Sequence, residues 1–145
     1  MAIDDAGEWW KGENFQDLSE YMYLLTEGNY KASKVLSCAC NNCNNSIFKL
    51  NADKNEGCAE RICIECNTAS FICDSEEVWE DAEPKFVMCP CQNNTFELGI
   101  AFALRENSDI RWVYIGQRCS SCGILACCID WKIGYGDTQH LYENV

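Results

Sequence analysis

The chain has 145 residues and a formal charge of −12. Its average surface therefore repels a phosphate backbone, because nucleic-acid affinity rests on Lys and Arg displacing counterions. Nearly half of the chain, 48%, is hydrophobic and it holds five Trp, which excludes wholesale disorder and suits one compact unit or two small ones. The longest apolar run, Ile124-Leu125-Ala126-Cys127-Cys128-Ile129, falls far short of the ~18 residues a membrane span requires, so a soluble protein is expected.

From the N-terminus, Asp4 and Asp5 stand where a secretory signal would carry bases. No apolar core of such a signal follows before Glu8-Trp9-Trp10-Lys11-Gly12-Glu13, so export is not expected and a cytoplasmic setting is. Trp9 and Trp10 read as packing residues, with an interface as the alternative. Phe15, Leu18, Met22 and Leu25 then recur at helical spacing, with Asn14 to cap the start, Asp17 three residues on, and Gly28 to end it. Residues 1–37 thus form a segment with one amphipathic helix, a flap for a later hydrophobic face or else a partner contact.

Thirteen cysteines follow, eight of them in close pairs: Cys40/Cys43, Cys63/Cys66, Cys89/Cys91 and Cys119/Cys122. Two four-thiolate metal sites explain this spacing, since four sulfurs around one tetrahedral ion make a closed structural site. Disulfides explain it less well, because thirteen is odd and two cysteines in one tight knuckle seldom serve as separate crosslinks. Cys38 competes for the first knuckle, but the two-residue gap of Cys40 and Cys43 allows the turn that aims both sulfurs and nearby amides at one metal. Cys38 is then a core or supporting thiol, and Cys58 and Cys73 are small buried or solvent-side residues rather than sensors. Ser46–Asn51 and Thr68–Cys73 read as the strands of this first unit, residues 38–74.

Between the second and third pairs, six carboxylates fall within residues 74–83, before Pro84. Residues 75–86 read as a solvated acidic linker or a short helix capped by Ser75, or as a docking strip for a basic partner. The second unit, residues 87–133, is more legible. Phe96, Leu98, Ile100, Phe102 and Leu104 alternate with smaller or polar residues, which places all five on one face of a strand. Asn107-Ser108-Asp109 supplies a turn, Ile110 to Ile115 a returning strand, Gly116 a bend into the knuckle, and Ile124 to Ile133 a third strand.

The two units overlay when Cys43 is set on Cys91 and Cys63 on Cys119. Phe48 then meets Phe96, Leu50 meets Leu98 and Asp74 meets Asp130. The interval between knuckles is 19 residues in the first copy and 27 in the second, so the second carries the longer hairpin. Knuckle, hairpin, knuckle and third strand resemble the zinc-ribbon, or rubredoxin-like, group in tandem over residues 38–133. The Cys89-Pro90-Cys91 pair is one residue tighter than that pattern. The resemblance implies a small, metal-stabilised, mainly-β fold with two Zn²⁺ per chain, and it leaves the role open because such ribbons serve many kinds of protein.

The tail, residues 134–145, holds aromatics, glycines and the one histidine, His140. Neither catalysis nor metal ligation is expected of His140. Each site already has four sulfurs, and the nearby Cys127 and Cys128 lie in an apolar strand that raises their pKa rather than activating them. Glu60, Glu65 and Asp74 read as ordinary residues near the knuckles, not as general bases at an open metal. The expectation is a non-enzymatic interaction module with structural zinc and a basic protein partner. Two alternatives remain: nucleic-acid binding through Arg111, Trp112, Tyr114 and Arg118, and electron transfer by iron in rubredoxin-like sites.

Overall fold

The computed structural model describes residues 3–134 and 138–145; the tail residues Tyr135 and Gly136 lie outside them. Asn14 caps the helix as the sequence reading requires, its side chain accepting from the Asp17 amide, and α1 runs Phe15–Leu25. Among the described residues eight strands follow in chain order: β1 Lys34–Ser37, β2 Ile47–Asp53, β3 Cys58–Cys63, β4 Ala69–Phe71, β5 Lys85–Phe86, β6 Phe96–Leu104, β7 Ile110–Cys119 and β8 Leu125–Lys132. Short 3-10 helices occupy Ser75–Asp81 and Gln139–Glu143. The result is a mainly-β fold with one N-terminal helix, and among the described residues no helix is long and apolar enough to cross a membrane.

All strands belong to one sheet, in the order β4-β3-β2-β6-β7-β8, with β1 added on β6 and β5 on β2. The two copies meet where β2 pairs antiparallel with β6, and there Phe48 lies opposite Phe96, the residue that the internal overlay makes its counterpart. An antiparallel pair of equivalent residues lies on a local twofold axis. The strands leading into the knuckles obey the same axis. Ser37 and Leu36, which lead into the first copy, pair with Gly99 and Ile100 of the second, while Phe86 and Lys85, which lead into the second, pair with Asn51 and Ala52 of the first. Each leading strand thus crosses to the other copy's hairpin, and the amides that follow repeat the match: Cys38 N donates to Leu98 O at 3.1 Å, and Val87 N to Leu50 O at 2.9 Å. The two copies are joined edge to edge with exchanged strands.

The long hairpin explains where the core sits. Phe96, Leu98, Ile100 and Phe102 are fully buried, and Leu104 packs half-buried against the same cluster, joined by Phe48, Leu50, Val113, Ile115 and Trp131. Each such side chain contributes roughly 1.5–3 kcal/mol of transfer free energy. The sheet curls over this cluster until Trp131 rests on the β2–β3 turn: a Cβ added at Gly57, where φ is +72°, would stand 2.8 Å from the Trp131 Cβ. The Trp131 indole N–H donates to Asp74 at 3.0 Å.

The opposite face of β6 and β7 carries small residues because α1 lies on it. Leu18 and Met22 pack on Ala101, Ala103 and Tyr114. Gly116, the expected bend, lies within β7 where its pairing with β8 shifts register between Ile115 and Gly116, and a Cβ there would sit 2.5 Å from Met22 Sδ. Its role is to admit the helix. Leu25, counted on the apolar stripe, stays 41% exposed.

Two further expectations need correcting in the first copy. The strand that returns to the second knuckle is β3, which the sequence reading passed over; β4 is the third, much shorter strand. Ser75 does not cap a helix: it is fully buried, its hydroxyl donating to Ile72 O at 2.6 Å and accepting from the Ala59 amide at 2.8 Å. The acidic segment after it is docked, with Trp79 edge-on to Phe71 at 5.2 Å and the Glu83 amide donating to Asp53 Oδ2 at 2.8 Å.

Candidate metal centres

A sulfur is aimed by the backbone that carries it, and here four tight turns do the aiming. In each knuckle the residue after the second cysteine lies in the left-handed region: Asn44 at φ 65°, Asn67 at 62°, Gln92 at 76° and Gly123 at 81°. Glycine suits that conformation best and asparagine tolerates it, which accounts for three of the four residues; Gln92 follows the tighter Cys89-Pro90-Cys91 turn. The turns are closed by amides from these residues to the first cysteine's carbonyl, Asn44 to Cys40, Asn67 to Cys63, Gln92 to Cys89 and Gly123 to Cys119, at 2.7–3.0 Å.

The eight cysteines singled out in the sequence gather into two groups, Cys40, Cys43, Cys63 and Cys66 in one and Cys89, Cys91, Cys119 and Cys122 in the other, with all four sulfurs of a group within 4.8 Å of one another. Close contacts cross between knuckles: 3.6 Å for Cys40 and Cys66, 3.4 Å for Cys43 and Cys63, 3.5 Å for Cys89 and Cys122, and 3.6 Å for Cys91 and Cys119. These are not disulfide distances, which are ~2.05 Å. Four sulfurs each ~2.3 Å from one tetrahedral ion stand ~3.8 Å apart, so the groups are sized for a thiolate-bound metal. Burial repeats too: Cys40 and Cys63 are buried, Cys43 exposed and Cys66 between, as are Cys89, Cys119, Cys91 and Cys122 in turn.

Each site brings donors to its sulfurs. Asn45 and Asn93 are equivalent residues, and each directs its amide both to a carbonyl two residues on, at 2.9 Å, and to the first sulfur of the opposite knuckle: Cys63 at 3.6 Å and Cys119 at 3.3 Å. The Ser121 and Cys122 amides also donate to Cys119 Sγ, at 3.4 and 3.5 Å. Such donors favour thiolate over thiol. Hydrogen bonds from the Asn42 side chain and from Thr68 hold the Cys66 thiol down at about 5. Burial raises Cys119, but the Cys122, Asn93 and Ser121 donors bring it to about 6. Crowding acts the other way: despite the Asn45 amide, the neighbouring sulfurs push Cys43 up to about 12. Four thiolates so close need a cation among them, and the donor set fits one.

The sequence reading missed three supports of these sites. Asn45 and Asn93 coincide in the internal overlay, which was the available signal. Arg61, 1% exposed, stacks 4.7 Å over Phe48 and donates from Nη2 to Ala39 O, beside Cys40, at 3.3 Å; nothing in the sequence marks an inward-facing arginine. The arm before α1 braces the second site, with Gly12 N donating to Gly123 O at 2.9 Å and Leu125 N to Trp10 O at 2.7 Å.

Other thiols stay outside. Cys38 is buried and burial pushes it up to about 12, as it does Cys127. Cys58 and Cys73 are both buried, and Cys128 is half-buried. His140 is exposed and belongs to neither group. The two tetracysteine clusters in a small β fold are compatible with tandem zinc-ribbon-like sites, and they mark a metal-binding structural module. Comparison with protein-family models, with curated proteins and with solved structures gives no match.

Proposed function

We propose that the chain is a non-catalytic protein-interaction module, stabilised by two structural zinc ions and directed toward a basic partner. The observation that carries this reading is the pair of closed four-sulfur groups, each built to occupy every coordination position of a tetrahedral ion and so to leave none for water or substrate. Cys40, Cys43, Cys63 and Cys66 would hold one ion, and Cys89, Cys91, Cys119 and Cys122 the other. Bound metal ties the ends of each hairpin together. The free thiols are in keeping with a reducing compartment such as the cytoplasm.

A basic protein suits the charge of −12 better than nucleic acid does. The arginines that a nucleic-acid reading would use are already engaged. Arg118 pairs with Glu97 at 3.0 Å and Arg111 stacks 4.7 Å over Tyr30.

Native mass spectrometry and elemental analysis of protein purified without chelator test the metal. Two zinc ions per chain are expected, one for each sulfur group. Iron with visible thiolate-to-iron absorption would move the reading to electron transfer. Metal-free protein with disulfides would overturn it. A gel shift with single-stranded and duplex probes at low salt tests the partner class, with no binding expected at micromolar protein.

A further inference from the structure

The arm and helix leave an apolar surface that the fold itself does not consume. Trp9, Leu24 and Leu25 are 47, 44 and 41% exposed. They rim a cavity of about 280 Å³, with Leu125 at its floor and Trp10 and Tyr21 along its walls. The cavity is built from fixed parts. Trp10 and Tyr21 meet edge to face at 6.0 Å, the Trp10 carbonyl accepts from the Leu125 amide, and α1 is seated through Met22 over Gly116. Because Gly12 pairs with Gly123, directly after Cys122, the groove also takes its shape from the second metal site.

Its volume lies below the roughly 300–1,000 Å³ of small-molecule sites, so it is sized for one or two large side chains. The arm and helix that form it carry mostly acids, although Glu27 is paired with Lys31 at 3.6 Å and Arg118 donates to the Gly12 carbonyl at 3.4 Å. Residues 1–30 hold Asp4, Asp5, Glu8, Glu13, Asp17, Glu20 and Glu27 against the single base Lys11. Of these acids only Asp17 is buried, and Glu8 lines the cavity. A second copy of the chain would set this acidic surface against itself, so charge selects a cationic occupant instead. The other exposed apolar pair, Phe86 and Met88, lines a cavity of about 490 Å³ with Lys54 and Lys85 as well as Asp53 and Glu83, a balance that selects no sign.

We propose that the groove between the N-terminal arm and α1 is a docking site for a cationic segment of a partner protein. One or two large apolar side chains enter between Trp10, Tyr21, Leu24 and Leu25, and flanking lysines or arginines face the acidic arm. This rests on the reading of the chain as an interaction module and names the surface it uses.

The test is fluorescence anisotropy of the metal-loaded full chain with short labelled Lys/Ser peptides carrying a central Leu-Phe pair, and with two controls, one having Ser in place of the apolar pair and the other Glu in place of Lys. Salt-sensitive binding of the first peptide alone is expected. It should weaken roughly tenfold in Trp9→Ala/Leu24→Ser, and change by less than about twofold in Phe86→Ser/Met88→Ser. Both variants alter exposed side chains, and their metal content and circular dichroism serve as the folding check. Equal binding by the Ser-substituted peptide, or by Trp9→Ala/Leu24→Ser, overturns the groove and leaves the basic-partner reading standing. If no cationic peptide binds at low salt, both fall.

Discussion

The hairpin of the first copy runs seven residues out and six back, that of the second nine and ten, and yet both end on the same four-sulfur arrangement. The sites tolerate the difference because the turns that aim the sulfurs lie within three or four residues of them. What the extra length adds is area. The outer face of the long hairpin, pared down at Gly99, Ala101, Ala103 and Gly116, takes α1 and the groove beside it. The corresponding face of the short one shows Lys49 to solvent. Metal binding and surface were thus free to diverge within one duplicated frame.

The largest effect should come from breaking one site and watching the other. Each structural site contributes ~10–16 kcal/mol of apparent metal-binding free energy, against ~5–15 kcal/mol for the net stability of a whole domain. Cys63→Ser is expected to lose one ion and to disorder β6 as well as β2, because Phe48 pairs with Phe96 and the leading strands are exchanged. Native mass spectrometry with hydrogen exchange reads both. A second copy protected as in the unmodified chain would show that the halves are independent after all.

Next is the knuckle residue in left-handed conformation. Gly123→Ala meets strain twice, from φ +81° and from a Cβ that would sit 2.8 Å from the Gly12 carbonyl. It should cost about 1–3 kcal/mol in urea unfolding, whereas Asn67→Gly in the first copy should be close to neutral. Equal costs would mean that the arm does not brace the second site.

Asn45→Ala and Asn93→Ala should each leave the fold intact and speed metal transfer to a chelator, on the order of 10-fold or more, since supporting hydrogen bonds commonly hold that share of affinity. The shorter bond, 3.3 Å to Cys119 against 3.6 Å to Cys63, makes Asn93 the larger of the two. Stopped-flow release distinguishes them.

The smallest effect concerns the paired aspartates. Burial raises the Asp74 carboxyl above its ordinary value against the pull of the Trp131 indole. A carboxyl whose folded pKa is raised holds its proton better folded than unfolded, so stability falls as pH rises through that value and the loss persists at pH 7. Asp74→Asn removes the charge, keeps an acceptor for Trp131, and should be neutral to slightly stabilising at pH 7, with the gain vanishing in acid. Its counterpart Asp130 is exposed and accepts from the Trp112 indole at 2.7 Å. Thermal unfolding of the Asp74→Asn chain at two pH values reads the effect.

The features legible in the sequence were those written at short range. The eight clustered cysteines stand in close pairs, the helix has its cap, and β6 alternates over nine residues. What escaped was written weakly or at long range. In β3, Cys58 to Cys63, the inward positions are Ala59, Arg61 and Cys63 while Ile62 faces outward, which inverts the usual alternation. β1 has four residues and β5 two, and each owes its existence to a partner in the other copy, a fact that no local pattern carries.

The exchanged strands also set an order of events on the ribosome. By residue 66 all four sulfurs of the first site have been made, so an ion can close the first hairpin while the second is still absent. β1, made earlier still, must wait about sixty residues for β6, and contacts at such separation form late. Through that interval the nascent chain presents an unpaired strand beside a finished site.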